Sequence, residues 1–92
     1  MEVNQKEIER KGEFYVEENG EILAKMTYVW SGNDRIIIDH TEVSDKLRGT
    51  GAGKEMVYKA AKFAEERKIS IIPLCPFAKS VFDKNKDLRH VL

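Results

Sequence analysis

The sequence predicts an α+β fold, an antiparallel three-strand meander followed by helix, parallel strand and helix. Three observations predict it. Ile22, Ala24, Met26, Tyr28 and Trp30 alternate with mostly polar neighbours, the period of a half-buried antiparallel strand. From Glu55 to Arg67 the spacing turns helical, with Met56, Val57, Ala60, Phe63 and Ala64 on one face and Lys59, Lys62, Glu65 and Glu66 on the other. Between the two regimes lies Arg48-Gly49-Thr50-Gly51-Ala52-Gly53-Lys54, with three glycines in five positions.

In chain order, residues 2–11 are charged and read as a frayed lead-in or an edge strand. Phe14-Tyr15-Val16 is a strand, and Asn19-Gly20 after it is a strong hairpin signal. The alternating strand from Ile22 follows, then a turn at Ser31-Gly32-Asn33-Asp34. Arg35 to Val43 is a third strand. Its Ile36-Ile37-Ile38 run is apolar on both faces, which predicts a central position. After the glycine loop and its helix, Ile69 to Leu74 is a short apolar strand. Strand, helix, strand in that order makes a right-handed crossover and a parallel pair. Cys75-Pro76 ends it. Phe77, Ala78, Val81 and Phe82 then predict a second helix ending near Lys84-Asn85, with Pro76 at its first position.

At 92 residues, one domain is expected over 1–92, with its core over about 13–85. Such a chain buries about 60–65% of its unfolded surface, so the core is modest. Lys+Arg and Asp+Glu each number 16. That balance gives no global pull toward nucleic acid or an anionic membrane. One cysteine excludes an internal disulfide, and one cysteine with two histidines argues against a structural zinc site. The polar N-terminus is not expected to be a signal peptide, and no apolar run approaches the roughly 20 residues of a membrane span. A reducing cytoplasm is the expected location.

The glycine loop carries the first functional expectation. A Gly-rich turn opening a helix points unpaired N–H groups at one spot, where the helix dipole adds partial positive charge. Arg48 and Lys54 flank it with full charges. This geometry suits the pyrophosphate of a cofactor. The loop is neither common nucleotide motif. A P-loop needs a glycine where Arg48 stands and Ser or Thr where Glu55 stands. The spacing Gly49, Gly51, Gly53 also fails G-x-G-x-x-G.

The pattern that fits is Arg-x-x-Gly-x-Gly, at Arg48, Gly51 and Gly53. It is preceded by His40-Thr41-Glu42-Val43 and followed by Pro73-Leu74-Cys75-Pro76-Phe77. On these segments the chain resembles the GNAT superfamily of acetyl-CoA-dependent acetyltransferases, from about Phe14 to Asn85, and within it a small stand-alone branch. The resemblance implies acetyl-CoA or coenzyme A as cofactor and an unidentified amine, small molecule or protein lysine, as acceptor. It places Thr41, Glu42 and Val43 along the pantetheine arm. Backbone groups of Gly49, Thr50, Gly51, Ala52, Gly53 and Lys54 would bind the pyrophosphate, with Arg48 as a further contact. Phe77 and Phe82 would each be core residues with one face toward the pantetheine. The acetyl thioester would lie near His40, Glu42 and Cys75. The chain departs from typical members. It lacks the helices after the first strand and the two C-terminal strands that shape an acceptor site. Its last helix has no tyrosine to serve as general acid.

Acetyl transfer to an amine needs a neutral amine, a polarised carbonyl and a sulfur that leaves. Cys75, between a strand and a helix N-terminus, is a candidate nucleophile or a thiol lining the thioester pocket, with His40 lowering its pKa further. Against this stands a small buried residue at a strand end. His40 and Glu42 are expected on the strand face of Ile36 and Ile38. Each is a candidate base if its pKa suits, against a strand-end imidazole bonded to backbone and a solvated carboxylate. Three readings stay open: a minimal N-acetyltransferase, a coenzyme-A-binding module without turnover, and an interaction domain whose glycines only make a turn. A monomer or a weak homodimer fits any of them.

Overall fold

A computed structural model describes residues 1–92. Strands β1 (Asn4–Ile8), β2 (Lys11–Glu18), β3 (Glu21–Ser31) and β4 (Arg35–Val43) form an antiparallel meander. A 3₁₀ turn at Asp45–Leu47 leads to helix α1 (Ala52–Arg67). Strand β5 (Ser70–Pro73) returns parallel to β4, and helix α2 (Pro76–Lys84) and a 3₁₀ turn at Lys86–Val91 follow. The sheet order is β1-β2-β3-β4-β5.

The meander therefore has four strands, one more than expected. The polar segment 4–8 is the edge strand. Charged residues blunt such an edge against pairing with other chains, and here they also reach inward. The Tyr28 hydroxyl donates to Glu7 Oε1 at 2.7 Å and accepts from Gln5 Nε2 at 2.9 Å. The β2–β3 hairpin turns on Asn19 and Gly20 at φ 53° and 80°, both left-handed as a tight hairpin requires.

One face of the sheet carries the core. Phe14, Val16, Met26, Tyr28, Ile36, Ile38 and Ile71 pack against Met56, Val57, Ala60 and Ala64 of α1 and against Ala78, Val81 and Phe82 of α2. Leu88 and Val91, each 4% exposed, join the same cluster, so the core runs beyond residue 85. Arg89 ties the final turn down by donating to the carbonyls of Phe82 and Asp83.

Two β-bulges shift which residues face the core. In the β2–β3 ladder, Val16 pairs with Ala24 but Glu17 pairs with Ile22. Leu23 is the extra residue and turns inward, at 5% exposure, while Ile22 is 42% exposed. The alternation read from Ile22 therefore starts one residue early. In the β3–β4 ladder, Tyr28 pairs with Ile38 but Thr27 pairs with His40, leaving Asp39 as the extra residue. A bulge inserts one residue without a partner and resets the alternation beyond it.

Tyr28 sits on Gly12, its cross-strand partner. A Cβ built on Gly12 would stand 2.4 Å from both Cζ and the hydroxyl oxygen of Tyr28. The ring cannot yield, because Glu7 and Gln5 hold its hydroxyl and Phe14 and Phe63 lie 5.3 and 6.1 Å from its centroid. Gly12→Ala is expected to cost about 1–3 kcal/mol by overpacking, and Tyr28→Phe about 1 kcal/mol by removing the hydrogen bonds of the hydroxyl to Glu7 and Gln5, both read from urea unfolding. Burial, then the Glu7 hydrogen bond, push the Tyr28 pKa up from 10.0 to about 12. A phenol whose folded pKa lies above its unfolded value contributes stability that is complete below pH 10. That stability is lost as the pH rises through 12. Native chain and Tyr28→Phe are expected to converge in stability over that interval.

Candidate functional site

The site begins where the parallel pair ends. The β4–β5 ladder stops at Ile38 opposite Pro73. There the Ile38 carbonyl accepts from the amides of both Leu74 and Cys75, each at 3.0 Å. β5 then turns into α2, while β4 runs on to Val43 with no strand on that edge. Residues 39–43, with Thr41, Glu42 and Val43 among them, thus form a strand edge that has no β partner.

The glycine loop follows the end of this edge and shares a groove with Val43. The Arg48 amide bonds to the Asp45 carbonyl at 3.1 Å and the Thr50 amide to Leu47 at 3.1 Å, while the Thr50 hydroxyl donates to Leu47 at 2.6 Å. The first helical bond of α1 runs from the Glu55 amide to the Gly51 carbonyl. The amides of Gly49, Gly51, Ala52, Gly53 and Lys54 have no acceptor. Gly49 and Gly51 are left-handed, at φ 80° and 81°, which lets the loop turn these amides toward one another. Gly53 permits a close approach. A Cβ there would stand 2.4 Å from Cζ of Phe77, on α2.

Loop and α2 enclose a groove of about 590 Å³. Val43, Gly49, Gly51, Gly53 and Lys54 line one side, and Phe77, Ser80, Val81, Lys84 and Asn85 the other. Ser80 and Lys84 follow Phe77 on one side of the helix, at i+3 and i+7, and Asn85 is its C-cap; none of the three is among the ligand contacts expected above. Phe82 is corrected. It is 1% exposed and packed into the core, so it offers a cofactor almost no surface, whereas Phe77 is 41% exposed and lines the groove. Arg48 is 81% exposed and held by Asp45 at 2.7 Å. Lys54 Nζ lies 5.6 Å from the Tyr58 ring centroid.

The bulge at Asp39 separates the candidate catalytic residues. His40 and Glu42 were expected on the face of Ile36 and Ile38, but Thr41 occupies that face, opposite Met26. His40 and Glu42 share the opposite face, bonded to each other at 3.0 Å and each about 60% exposed. The His40 hydrogen bond, then the Lys25 charge, hold the Glu42 pKa below the ordinary carboxylate value. The expected route to a base at Glu42 was a raised pKa, and the shift runs the other way.

Cys75, 6% exposed, is the N-cap of α2. Its Sγ lies 3.3 Å from Thr41 Oγ1. Burial alone would raise the thiol pKa. The Thr41 hydroxyl and the amides of Ala78 and Phe77 outweigh it, so the pKa falls despite the opposing charge of Asp39. The helix N-terminus thus acts on the thiol as expected, but Thr41 takes the place given to His40.

The chain matches a family model described as GCN5-related N-acetyl-transferase over residues 13–91. It is similar to the solution structure of a GCN5-like candidate N-acetyltransferase from Staphylococcus aureus, at 37% identity and a TM-score of 0.74, covering 98% of this chain and 85% of that one. The fold is also shared with a ribosomal-protein-alanine N-acetyltransferase from Brucella melitensis biovar Abortus, at 18% identity and a TM-score of 0.66 over 82% of this chain. A predicted acetyltransferase from Clostridium acetobutylicum, solved with acetyl-CoA, shares it at 22% identity and a TM-score of 0.65 over 80%. The chain spans 60% and 55% of the length of those two proteins. Among curated protein sequences, none matches it. With its model spanning nearly the whole sequence and a relative at 37% identity covering 98% of it, the chain belongs to the GCN5-related N-acetyltransferase family.

Proposed function

We propose that this chain is a single-domain acetyl-CoA-dependent N-acetyltransferase that moves an acetyl group to an amine, on a small molecule or a protein lysine. The observation that carries the reading is the meeting, in one groove, of the unpaired amides of Gly49 and Gly51–Lys54 with Val43, the last residue of the strandless β4 edge. Those amides, at a helix N-terminus, fit a diphosphate. The free β4 edge at Thr41–Val43 fits an amide-bearing arm that needs backbone partners. Bound acetyl-CoA supplies an activated acyl carbon next to a sulfur leaving group. Phe77 shields that arm from water, and Cys75 with Thr41 lines its inner end. The Cys75 thiol suits a reducing compartment.

The test is an amide-shift titration with acetyl-CoA, paired with calorimetry. Shifts confined to residues 41–54 and 75–82, with a Kd on the order of micromolar, are expected. No shift in the loop at about 1 mM ligand, where a Kd near or below that value would register, rejects the reading. One observation favours a second reading, a coenzyme-A-binding module without turnover. The imidazole–carboxylate pair of this strand end, His40–Glu42, lies on the face away from Cys75, and the Glu42 carboxyl is held below its ordinary pKa. Release of free coenzyme A upon addition of a panel of amines separates the two. Binding without acceleration by any amine leaves the module.

A further inference from the structure

The groove beside the glycine loop is electrostatically one-sided. The whole chain is neutral, with 16 cations and 16 anions, yet this groove is lined by Arg48, Lys54 and Lys84 and by no acid. The larger groove between the N-terminus and α1 instead mixes Lys59 and Lys62 with Glu55, Glu65 and Asp87. Within the one-sided groove the three cations differ. Arg48 is engaged by Asp45 at 2.7 Å. Lys54 stands at the loop itself. Lys84 makes no ion pair, although one turn earlier Lys79 is paired with Asp83 at 3.3 Å.

Position decides what Lys84 can reach. Phe77, Ser80, Val81 and Lys84 fall at i, i+3, i+4 and i+7, one side of α2. Seven residues of helix carry that side about 10 Å from Phe77. Phe77 packs against Gly53 in the amide cluster, so Lys84 lies well beyond it along the groove. A diphosphate seated on the loop amides would leave Lys84 unused.

We infer that Lys84 forms a phosphomonoester subsite at the far end of the groove and selects coenzyme A over its 3′-dephospho form. The inference rests on the acyl-donor reading above. The nucleotide end of coenzyme A carries a diphosphate and, separately, a ribose 3′-phosphate. A monoester phosphate holds about −1.5 to −2 charges at neutral pH, and a lysine ammonium serves it as a mobile point charge. The loop amides suit the diphosphate. The isolated cation farther along α2 suits the second phosphate.

The experiment compares coenzyme A with 3′-dephospho-coenzyme A by calorimetry at low salt. The native chain is expected to bind the former about 5- to 10-fold more tightly, and the preference to shrink in about 0.5 M salt, because exposed pairs are screened. Lys84→Gln is expected to bring the ratio below about twofold, mainly by weakening coenzyme A. Lys62→Gln, in the mixed-charge groove, is expected to leave it unchanged. A native ratio near one, or a preference that survives Lys84→Gln, overturns the inference while leaving the acyl-donor reading intact. Failure of both nucleotides to bind removes the two together.

Discussion

Gly51→Val is expected to weaken coenzyme A binding by more than tenfold. Two effects combine. The residue stands at φ 81° as the N-cap of α1, a conformation that costs a side-chain-bearing residue about 1–3 kcal/mol and a β-branched one the upper part of that range. The chain relieves the strain by rotating the Gly51 backbone, and its neighbouring amides then leave the cluster formed with Gly49, Gly53 and Lys54. Stability loss alone does not make the case, since a partly unfolded chain also binds less. Gly20 provides the control. It has φ 80°, no heavy atom within 4 Å of a built Cβ, and lies in the β2–β3 hairpin. Gly20→Val is expected to lose comparable stability by denaturant unfolding and to bind coenzyme A like the native chain. Equal weakening by both variants would reduce the glycine loop to a turn that the fold needs and the ligand does not.

The elements legible in the sequence were those whose chemistry is local. Asn19-Gly20 specifies a tight hairpin by itself, Pro76 starts a helix by itself, and the triple isoleucine of β4 announces an interior strand, although the helices cover only the face of Ile36 and Ile38 and Ile37 stays half-buried on the open face. The glycine loop belongs with them, because the residues that shape it are contiguous. Edge strand β1 was less legible. Its residues are polar, and what holds them is a tyrosine hydroxyl on a different strand. The Asp39 bulge was not legible at all. It exists only in the register between β3 and β4, and no residue type marks it. Yet it decides the site, since it exchanges Thr41 for His40 on the core-facing side. The error over Phe82 has a different origin. Phe77 and Phe82 are five residues apart, about 140° around the helix. They cannot both face one groove, and the turn-by-turn spacing already held that information. The same spacing, carried on from Phe77, leads to Ser80 and Lys84.

Thr41→Val is expected to slow alkylation of Cys75 several-fold at neutral pH and to move the midpoint of its pH dependence upward. The thiolate is the reacting form. In the native chain, desolvation disfavours it, and the Thr41 hydroxyl with the amides of Ala78 and Phe77 restores it. Valine keeps the volume of threonine and removes the hydroxyl, so burial is left less opposed and the thiol holds its proton to higher pH. Thr41→Ser keeps the hydroxyl and should react like the native chain, which a purely packing role for the side chain would not allow. His40→Gln should also react like the native chain, because the imidazole is bonded to Glu42 on the other side of the sheet. The measurement is the rate of iodoacetamide labelling of Cys75 from pH 6 to 10, a window spanning both sides of an ordinary thiol pKa of about 8.5. It needs neither cofactor nor acceptor, so it tests the geometry apart from the activity. Repeating it with saturating coenzyme A then asks whether the thiol lies in the same opening as the pantetheine arm. Protection of Cys75 by the ligand places it there. Unchanged labelling in a chain that demonstrably binds coenzyme A would leave Cys75 a helix cap with an acidified thiol and no part in acyl transfer.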